Sequence, residues 1–271
     1  MPAVLSRQRA VIEKLLEHVR RDERVRLFVV GCSIGSGAAD SLSDVDALVG
    51  VRERAFDEVT RSSAEIVRAG GQVLDLFQQL IPPTSADGRP YQHTYAHYVD
   101  GVELDLAVAI ARETQPPRPD WIVLHDPDET VRGEPSSKVA SHDDVHAWAF
   151  NCLVRLHACA KYLARGSLWE AHLMLERARA DYWCLWAASE SVADALYGLT
   201  AVLDDPRRPM PPGIEGTVAA PDRTALARAA LTLVDLLLAA WPRAAAAVGG
   251  PPGGPIPLAA HVAEELRKLS N

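Results

Sequence analysis

The sequence predicts an α+β protein in which an N-terminal domain with a mixed β-sheet, flanked by helices, precedes an all-α helical bundle domain. Short apolar runs and alternating apolar and polar residues, which are typical of strands, occur in the first half of the chain. After residue 142 apolar residues recur every three or four positions, as in amphipathic helices. The stretch between these halves, 128–142, is polar. We therefore predict domains at 1–128 and 140–271.

Composition restricts the classes of partner. The chain has 271 residues, 48% of them hydrophobic, and a formal net charge of −8. Nucleic-acid affinity depends on cationic contacts to phosphate, so we expect no nucleic-acid partner. An acidic protein accommodates cationic small molecules more easily. The sequence does not predict the oligomeric state.

The expected location is the cytoplasm. The first residues resemble an amphipathic helix rather than a signal peptide, and we expect no apolar run long enough to cross a membrane. The four cysteines form no CxxC pair, which indicates reduced thiols (Cys32, Cys152, Cys159 and Cys184).

The elements of the N-terminal half follow from residue periodicity. Helical spacing predicts helices over 6–21 and 55–69, the second stopped by a Gly-Gly pair. Asp100 and Gly101 separate two strand-like runs, which is a strong hairpin signal. Strands are predicted at 27–30, 44–49, 72–79, 92–99, 102–110 and 121–124, with turns at 31–39 and 82–90.

Helices account for the C-terminal half. Two apolar stripes, over 145–163 and 168–185, are separated by Gly166 and should form an antiparallel pair. Two further helices are expected at 226–248 and 258–269, with Pro/Gly-rich breaks at 204–221 and 251–257.

Two aspartates mark the centre of the predicted chemistry. Asp44 and Asp46 are two residues apart on a strand, so both point to one face while Val45 points into the core. Neighbouring carboxylates repel each other unless a cation lies between them. Paired carboxylate oxygens suit magnesium, which commonly bridges to substrate phosphates.

Residues 33–46, SIGSGAADSLSDVD, resemble the signature of the DNA polymerase beta-type nucleotidyltransferase superfamily. That signature is a Gly-Ser pair closing a strand, a Gly-containing turn and then Ser-Asp-x-Asp. The chain is most similar to the bacterial branch related to aminoglycoside adenylyltransferases. It departs from the pattern at Cys32, where Gly is usual, and at Ser36, where many members carry Arg.

The resemblance implies a donor, a metal and a set of contacts. Mg²⁺ would be the cofactor, and ATP or another nucleoside triphosphate the donor substrate. The segment before the aspartates would bind the nucleotide through Ser33, Gly35, Ser36 and Ser43. In the superfamily a third carboxylate on a neighbouring strand completes the metal site, and Asp105, between Leu104 and Leu106, resembles it. Glu103 is the alternative, and Asp75 a secondary one.

The helical half offers further candidates. In antibiotic-modifying relatives a helical-domain lysine can reach the triphosphate, with a carboxylate base one turn earlier. Lys161 resembles that lysine, but His157 stands one turn before it. A solvent-exposed face would explain the same residues. The general base is therefore left open among Asp105, His157, Glu170 and Glu176. The tryptophans at 148, 169, 183 and 186 are expected to pack, or to line an acceptor pocket.

The sequence thus predicts an enzyme that transfers a nucleoside monophosphate, AMP from ATP, to a hydroxyl of a small-molecule acceptor by a two-metal mechanism. The acceptor could be an aminoglycoside-like antibiotic, with resistance as the biological role. The alternatives are a nucleotidyltransferase that modifies a protein, as in toxin–antitoxin pairs, and a non-catalytic nucleotide-binding module.

Overall fold

A computed structural model describes residues 5–83, 89–112, 117–205, 207–251 and 257–270. The chain divides into two compact units, Met1–Ser136 and Ser137–Asn271. The first contains a six-stranded mixed sheet and the second is helical, which confirms the predicted α+β class.

The N-terminal unit is built on a sheet with strand order β3-β4-β5-β2-β1-β6. Every neighbouring pair is antiparallel except β2 and β5, which run parallel. The helices are α1 (Ser6–Arg20), α2 (Cys32–Ser36) and α3 (Phe56–Gly70), and the strands are β1 (Val25–Val30), β2 (Val45–Val51), β3 (Val73–Ile81), β4 (Tyr91–Tyr98), β5 (Glu103–Ile110) and β6 (Ile122–His125).

One face of this sheet forms a core with α1 and α3. Val45 and Ala47 of β2 and Leu104 and Leu106 of β5 are buried on it. The polar residues between them alternate to the other face, as a two-residue period requires. The predicted hairpin is present, since β4 pairs with β5 and Gly101 adopts φ +83°.

The segment at 31–39 differs from the expected turn because Cys32–Ser36 forms one short helix. Cys32 begins it with φ +51°, a left-handed conformation that glycine adopts without strain. Part of the turn predicted at 82–90, residues 84–88, lies outside the described residues, as do residues 252–256 of the break predicted at 251–257.

The C-terminal unit is a helical bundle with its own core. Its helices are α4 (His142–Ala164), α5 (Leu168–Ser189), α6 (Leu199–Leu203), α7 (Arg223–Ala247) and α8 (Pro257–Leu269). A capping box formed by Ser141 and Asp144 begins α4. The sequence missed α6 and a 3₁₀ turn at Ile214–Thr217, since short helices leave no extended apolar stripe.

Helix α7 corrects the expectation that no apolar run could cross a membrane. Arg223–Ala247 is long and apolar enough to do so by length and composition. Half of the most apolar stretch of this helix is buried inside the helical unit. Core helices of soluble proteins can have the same length and composition. The helix is rich in Ala and Leu, which accounts for its high hydropathy.

Candidate active site

The three predicted carboxylates meet where β2 and β5 pair. The parallel register places Asp46 directly opposite Asp105. Asp44 precedes β2 by one residue and is close enough to Asp46 and Asp105 for the charges to interact. Glu103 shares the Asp105 face and interacts with Asp44. A two-residue period in each strand therefore gathers four carboxylates on one face of the sheet.

The environment disfavours negative charge on these groups. Partial burial and the carboxylates of Asp44 and Asp105 raise the pKa of Asp46 to about 6. Partial burial also raises the pKa of Asp44, and the charges on Asp105 and Glu103 raise it further. Half-buried like charges with raised pKa values are the condition that a cation relieves. The donor set, oxygen only and drawn from adjacent strands, fits magnesium.

Strand β4 supplies polar partners that sequence reasoning did not identify. His93 Nε2 lies 2.5 Å from Asp105 Oδ1. The Tyr95 hydroxyl donates to Glu103 over 2.5 Å, and His97 Nδ1 lies 3.6 Å from the same carboxylate. The hairpin places these residues opposite β5, at alternating positions on the carboxylate face. The alternation is visible in the sequence, but nothing in the sequence indicates that these side chains reach the carboxylates of β5.

A second missed contribution comes from the segment before β6. The Asp120 carboxylate accepts a hydrogen bond of 3.1 Å from the Cys32 backbone N–H. Arg118 pairs with the same carboxylate at 3.0 Å. Partial burial raises the pKa of the Cys32 thiol to about 12, and the negative charges of Asp46 and Asp120 contribute to the rise. No spacing rule joins residues 32 and 120, so only the fold could reveal this contact.

The serines predicted to bind the nucleotide differ in their hydrogen bonding. The Ser33 hydroxyl is buried and has no hydrogen-bond partner within the described part of the chain. Ser36 Oγ donates to the Ser33 carbonyl over 3.2 Å. Ser43 Oγ is engaged with Asp40, accepting from its backbone N–H over 2.9 Å.

Gly35 has a structural requirement of its own. Its N–H donates to the Gly31 carbonyl over 3.2 Å. A Cβ at this position would lie 1.6 Å from the Asp120 carbonyl oxygen, which is impossible without backbone movement. Gly35 therefore lets α2 pack against the Asp120 segment, and its predicted contact with a nucleotide stays a prediction.

The remaining candidate residues from the sequence differ in exposure and in the side chains that they contact. Asp75 is exposed on the edge strand β3. Lys161 is exposed on α4, 5.6 Å over the Tyr162 ring. Glu170 accepts a hydrogen bond from the Ser167 hydroxyl. Glu176 forms an ion pair with Arg179 at 2.8 Å. His157 lies 2.8 Å from the Glu265 carboxylate. Of the four tryptophans, Trp183 and Trp186 are buried, Trp148 is partly buried and Trp169 is 76% exposed.

A cavity of about 790 Å³ lies at the opposite end of β2 and β5. Its lining includes Arg26, Arg52, Arg54 and Arg112, together with Asp128. It contains none of the four clustered carboxylates. Arginine side chains attract phosphate by themselves. The cavity is therefore the natural competitor of the carboxylate cluster for a triphosphate, and it serves as a control below.

Comparisons with known proteins find similarity to solved structures but not to sequences. No protein-family model matches the chain, and no curated protein matches its sequence. The chain is similar to the crystal structure of an aminoglycoside 6-adenyltransferase from Bacillus subtilis, at 14% identity and a TM-score of 0.42. The match covers 97% of this chain and 98% of that one. A similarity at this level carries no argument about function.

Proposed function

We propose that the chain is a nucleotidyltransferase that transfers a nucleoside monophosphate, AMP from ATP, to a hydroxyl of a small-molecule acceptor. The observation that supports this most is the pairing of Asp46 with Asp105 on parallel strands, with Asp44 beside them. Three carboxylates in half-buried surroundings form a divalent-cation site at the end of a serine-bearing segment. The same residue types in this order carry the resemblance noted in the sequence.

Each carboxylate has a place in the reaction. Asp44, Asp46 and Asp105 would hold Mg²⁺, which when bound neutralises charge on the attacking and leaving oxygens. The acceptor hydroxyl oxygen forms a bond to the α-phosphorus, and the bond from that phosphorus to pyrophosphate breaks. Asp105 accepts the hydroxyl proton, and His93 holds its carboxylate through the 2.5 Å contact. Positioning and charge neutralisation supply most of the acceleration.

The segment before β2 is the proposed phosphate site. Ser33 carries the best support, because its hydroxyl is buried and none of the described residues forms a hydrogen bond with it. Ser36 can release its bond to the Ser33 carbonyl at little cost, since that residue is exposed. Ser43 and Gly35 then shape the segment around the nucleotide. Lys161 is a further proposed contact of the triphosphate.

The proposal favours a cationic acceptor such as an aminoglycoside-like compound. The net charge of −8 attracts cations, and Glu103 adds a carboxylate beside the metal ligands. Whether this activity gives antibiotic resistance depends on the acceptor.

Calorimetric titration with ATP in the presence and absence of MgCl₂ tests the nucleotide site. We expect wild-type protein to bind ATP only with Mg²⁺, and the Asp44→Asn, Asp46→Asn double variant to bind it more than about tenfold more weakly, as expected for losing two metal ligands. The matched control is Arg54→Ala with Arg112→Ala in the arginine-lined cavity, which should bind ATP as wild type does. Loss of binding in the arginine variant, with binding retained in the aspartate variant, would overturn the proposal.

Pyrophosphate release separates transfer from its alternatives. The protein is incubated with Mg²⁺ and ATP, then with a panel of hydroxylated polyamines and matched neutral polyols. We expect release with one or more polycations and none with the double aspartate variant. Label transfer from ATP to a protein would instead favour a protein-modifying enzyme. ATP binding without release on any acceptor would favour a nucleotide sensor.

A further inference from the structure

Two histidines and one glutamate form a separate cluster in the helical unit. His157 lies on α4, and His261 and Glu265 lie on α8. One ligand atom from each, a ring nitrogen or a carboxylate oxygen, lies within 4.8 Å of the other two. Among the described residues, no other three histidine, cysteine or acidic side chains bring their ligand atoms within 4.8 Å of one another.

The Glu265 carboxylate lies between the two imidazole rings. Its Oε2 is 2.8 Å from His157 Nδ1, and its Oε1 is 3.5 Å from His261 Nε2. The ring centroids are 5.7 Å apart, with the planes inclined at 42°. Ligand atoms around tetrahedral zinc are about 3.4 Å apart, given metal–ligand distances near 2.1 Å. Small side-chain rotations therefore bring the three donors to one ion.

The helices hold the cluster in place although its side chains are accessible. His261 and Glu265 are four residues apart, so they lie on one face of α8. The residues next to them in the sequence, Val262 and Leu266, are fully buried in the bundle core, as is Leu156 beside His157. The three side chains are between 36% and 59% exposed. An ion can reach them from solvent, while packing between α4 and α8 fixes their backbones.

We propose that His157, His261 and Glu265 form a zinc-type site that links α4 to α8, independent of the carboxylate cluster on the sheet. Two neutral imidazoles and a carboxylate suit Zn²⁺ rather than magnesium, which prefers oxygen donors alone. Three protein ligands leave a fourth position for water. This assigns His157 as a metal ligand in place of the base considered from the sequence.

The chain supplies a matched control on another helix. His172 and Glu176 of α5 have the same four-residue spacing, and their side chains approach to 3.8 Å. The described residues place no third ligand beside that pair. A spacing effect alone would give both pairs the same affinity for zinc, whereas the proposed site requires the residue from α4.

The experiment is calorimetric titration of the tag-free 271-residue protein with ZnCl₂ in excess MgCl₂, which competes with zinc for the carboxylate cluster on the sheet. We expect one equivalent to bind wild type and His172→Ala alike. His261→Ala and Glu265→Gln should bind at least about tenfold more weakly, since losing a ligand costs no less than losing an outer hydrogen-bond partner. Circular dichroism checks that the variants fold. Absent binding in wild type, or equal binding in His261→Ala, would overturn the proposal.

Cobalt substitution gives a second readout. Co²⁺ bound by two imidazoles and a carboxylate in a tetrahedral site has intense visible absorption, whereas ions held loosely at a surface have weak octahedral spectra. We expect the intense bands in wild type and His172→Ala and their loss in His261→Ala. Weak octahedral bands in wild type would contradict the proposal, because they would show that the two histidines and the glutamate only hydrogen-bond one another and do not bind the metal together.

Discussion

At the scale of single residues, the negative charge on Asp46 lowers the stability of the metal-free protein, although the proposed metal site requires that charge. Burial first, and then neighbouring carboxylates, raise its pKa from 3.8 to about 6. The folded protein therefore holds this proton more tightly than the unfolded chain does. Charged Asp46 destabilises the metal-free protein above pH 6, and the penalty disappears as the pH falls from about 6 towards 4.

Replacing the charge should therefore stabilise the metal-free protein. A shift of one pKa unit corresponds to about 1.4 kcal/mol, and partial solvent access reduces the effect. We expect Asp46→Asn to raise the free energy of unfolding by about 1–2 kcal/mol at pH 8 in EDTA, and by much less at pH 4. Urea denaturation at both pH values measures this. Asp75→Asn, an exposed carboxylate, is the control, and a destabilised Asp46→Asn at pH 8 would contradict the account.

His93 contacts Asp105 in the structure, although the sequence does not indicate this contact. Because it holds the Asp105 carboxylate, we expect His93→Ala to lower kcat about tenfold, the value of one charge-assisted hydrogen bond, with the KM for ATP nearly unchanged. His97→Ala is the control, since His97 lies beside Glu103 instead. Pyrophosphate release under saturating ATP measures both. An equal loss in the two variants would show a general effect of altering β4.

At the scale of elements, α2 depends on close approach to the Asp120 segment. A Cβ on Gly35 would meet the Asp120 carbonyl at 1.6 Å, whereas a Cβ on Gly31 would meet its nearest atom at 3.5 Å. We expect Gly35→Ala to destabilise the protein by about 1–3 kcal/mol and to weaken ATP binding, since overpacking forces the backbone to move. Gly31→Ala should be tolerated. Thermal denaturation compares them, and equal melting temperatures would contradict the packing role of Gly35.

The strands show what periodicity can and cannot predict. Alternation in 44–49 predicted that Asp44 and Asp46 lie on the same side of their strand, and alternation in 102–110 predicted the same for Glu103 and Asp105. It could not predict that β2 pairs with β5, since register between distant strands is set by tertiary packing. The contact between Cys32 and Asp120 joins residues 88 positions apart, so it left no local signal. Cys32 at φ +51° explains in physical terms why glycine suits its position.

At the scale of the whole molecule, each unit has a core of its own. Apolar periodicity predicted both cores because buried faces of strands and helices repeat at two and 3.6 residues. It could not predict the polar clusters, His93 with Asp105 and His157 with Glu265, since each joins different elements. Sequence therefore predicted the class of fold and the carboxylates, whereas the partners of those carboxylates required the structure.

Lys161, on α4, is a proposed contact of the triphosphate. It belongs to the helical unit, whereas the carboxylates and Ser33 belong to the sheet unit. If Lys161 contacts the triphosphate, Lys161→Ala should raise the KM for ATP about tenfold, as for losing a charged hydrogen bond, and leave unfolding unchanged. Lys268→Ala on α8, whose lysine pairs with Glu264 at 3.4 Å, is the control. An unchanged KM for ATP in Lys161→Ala would contradict the proposed contact.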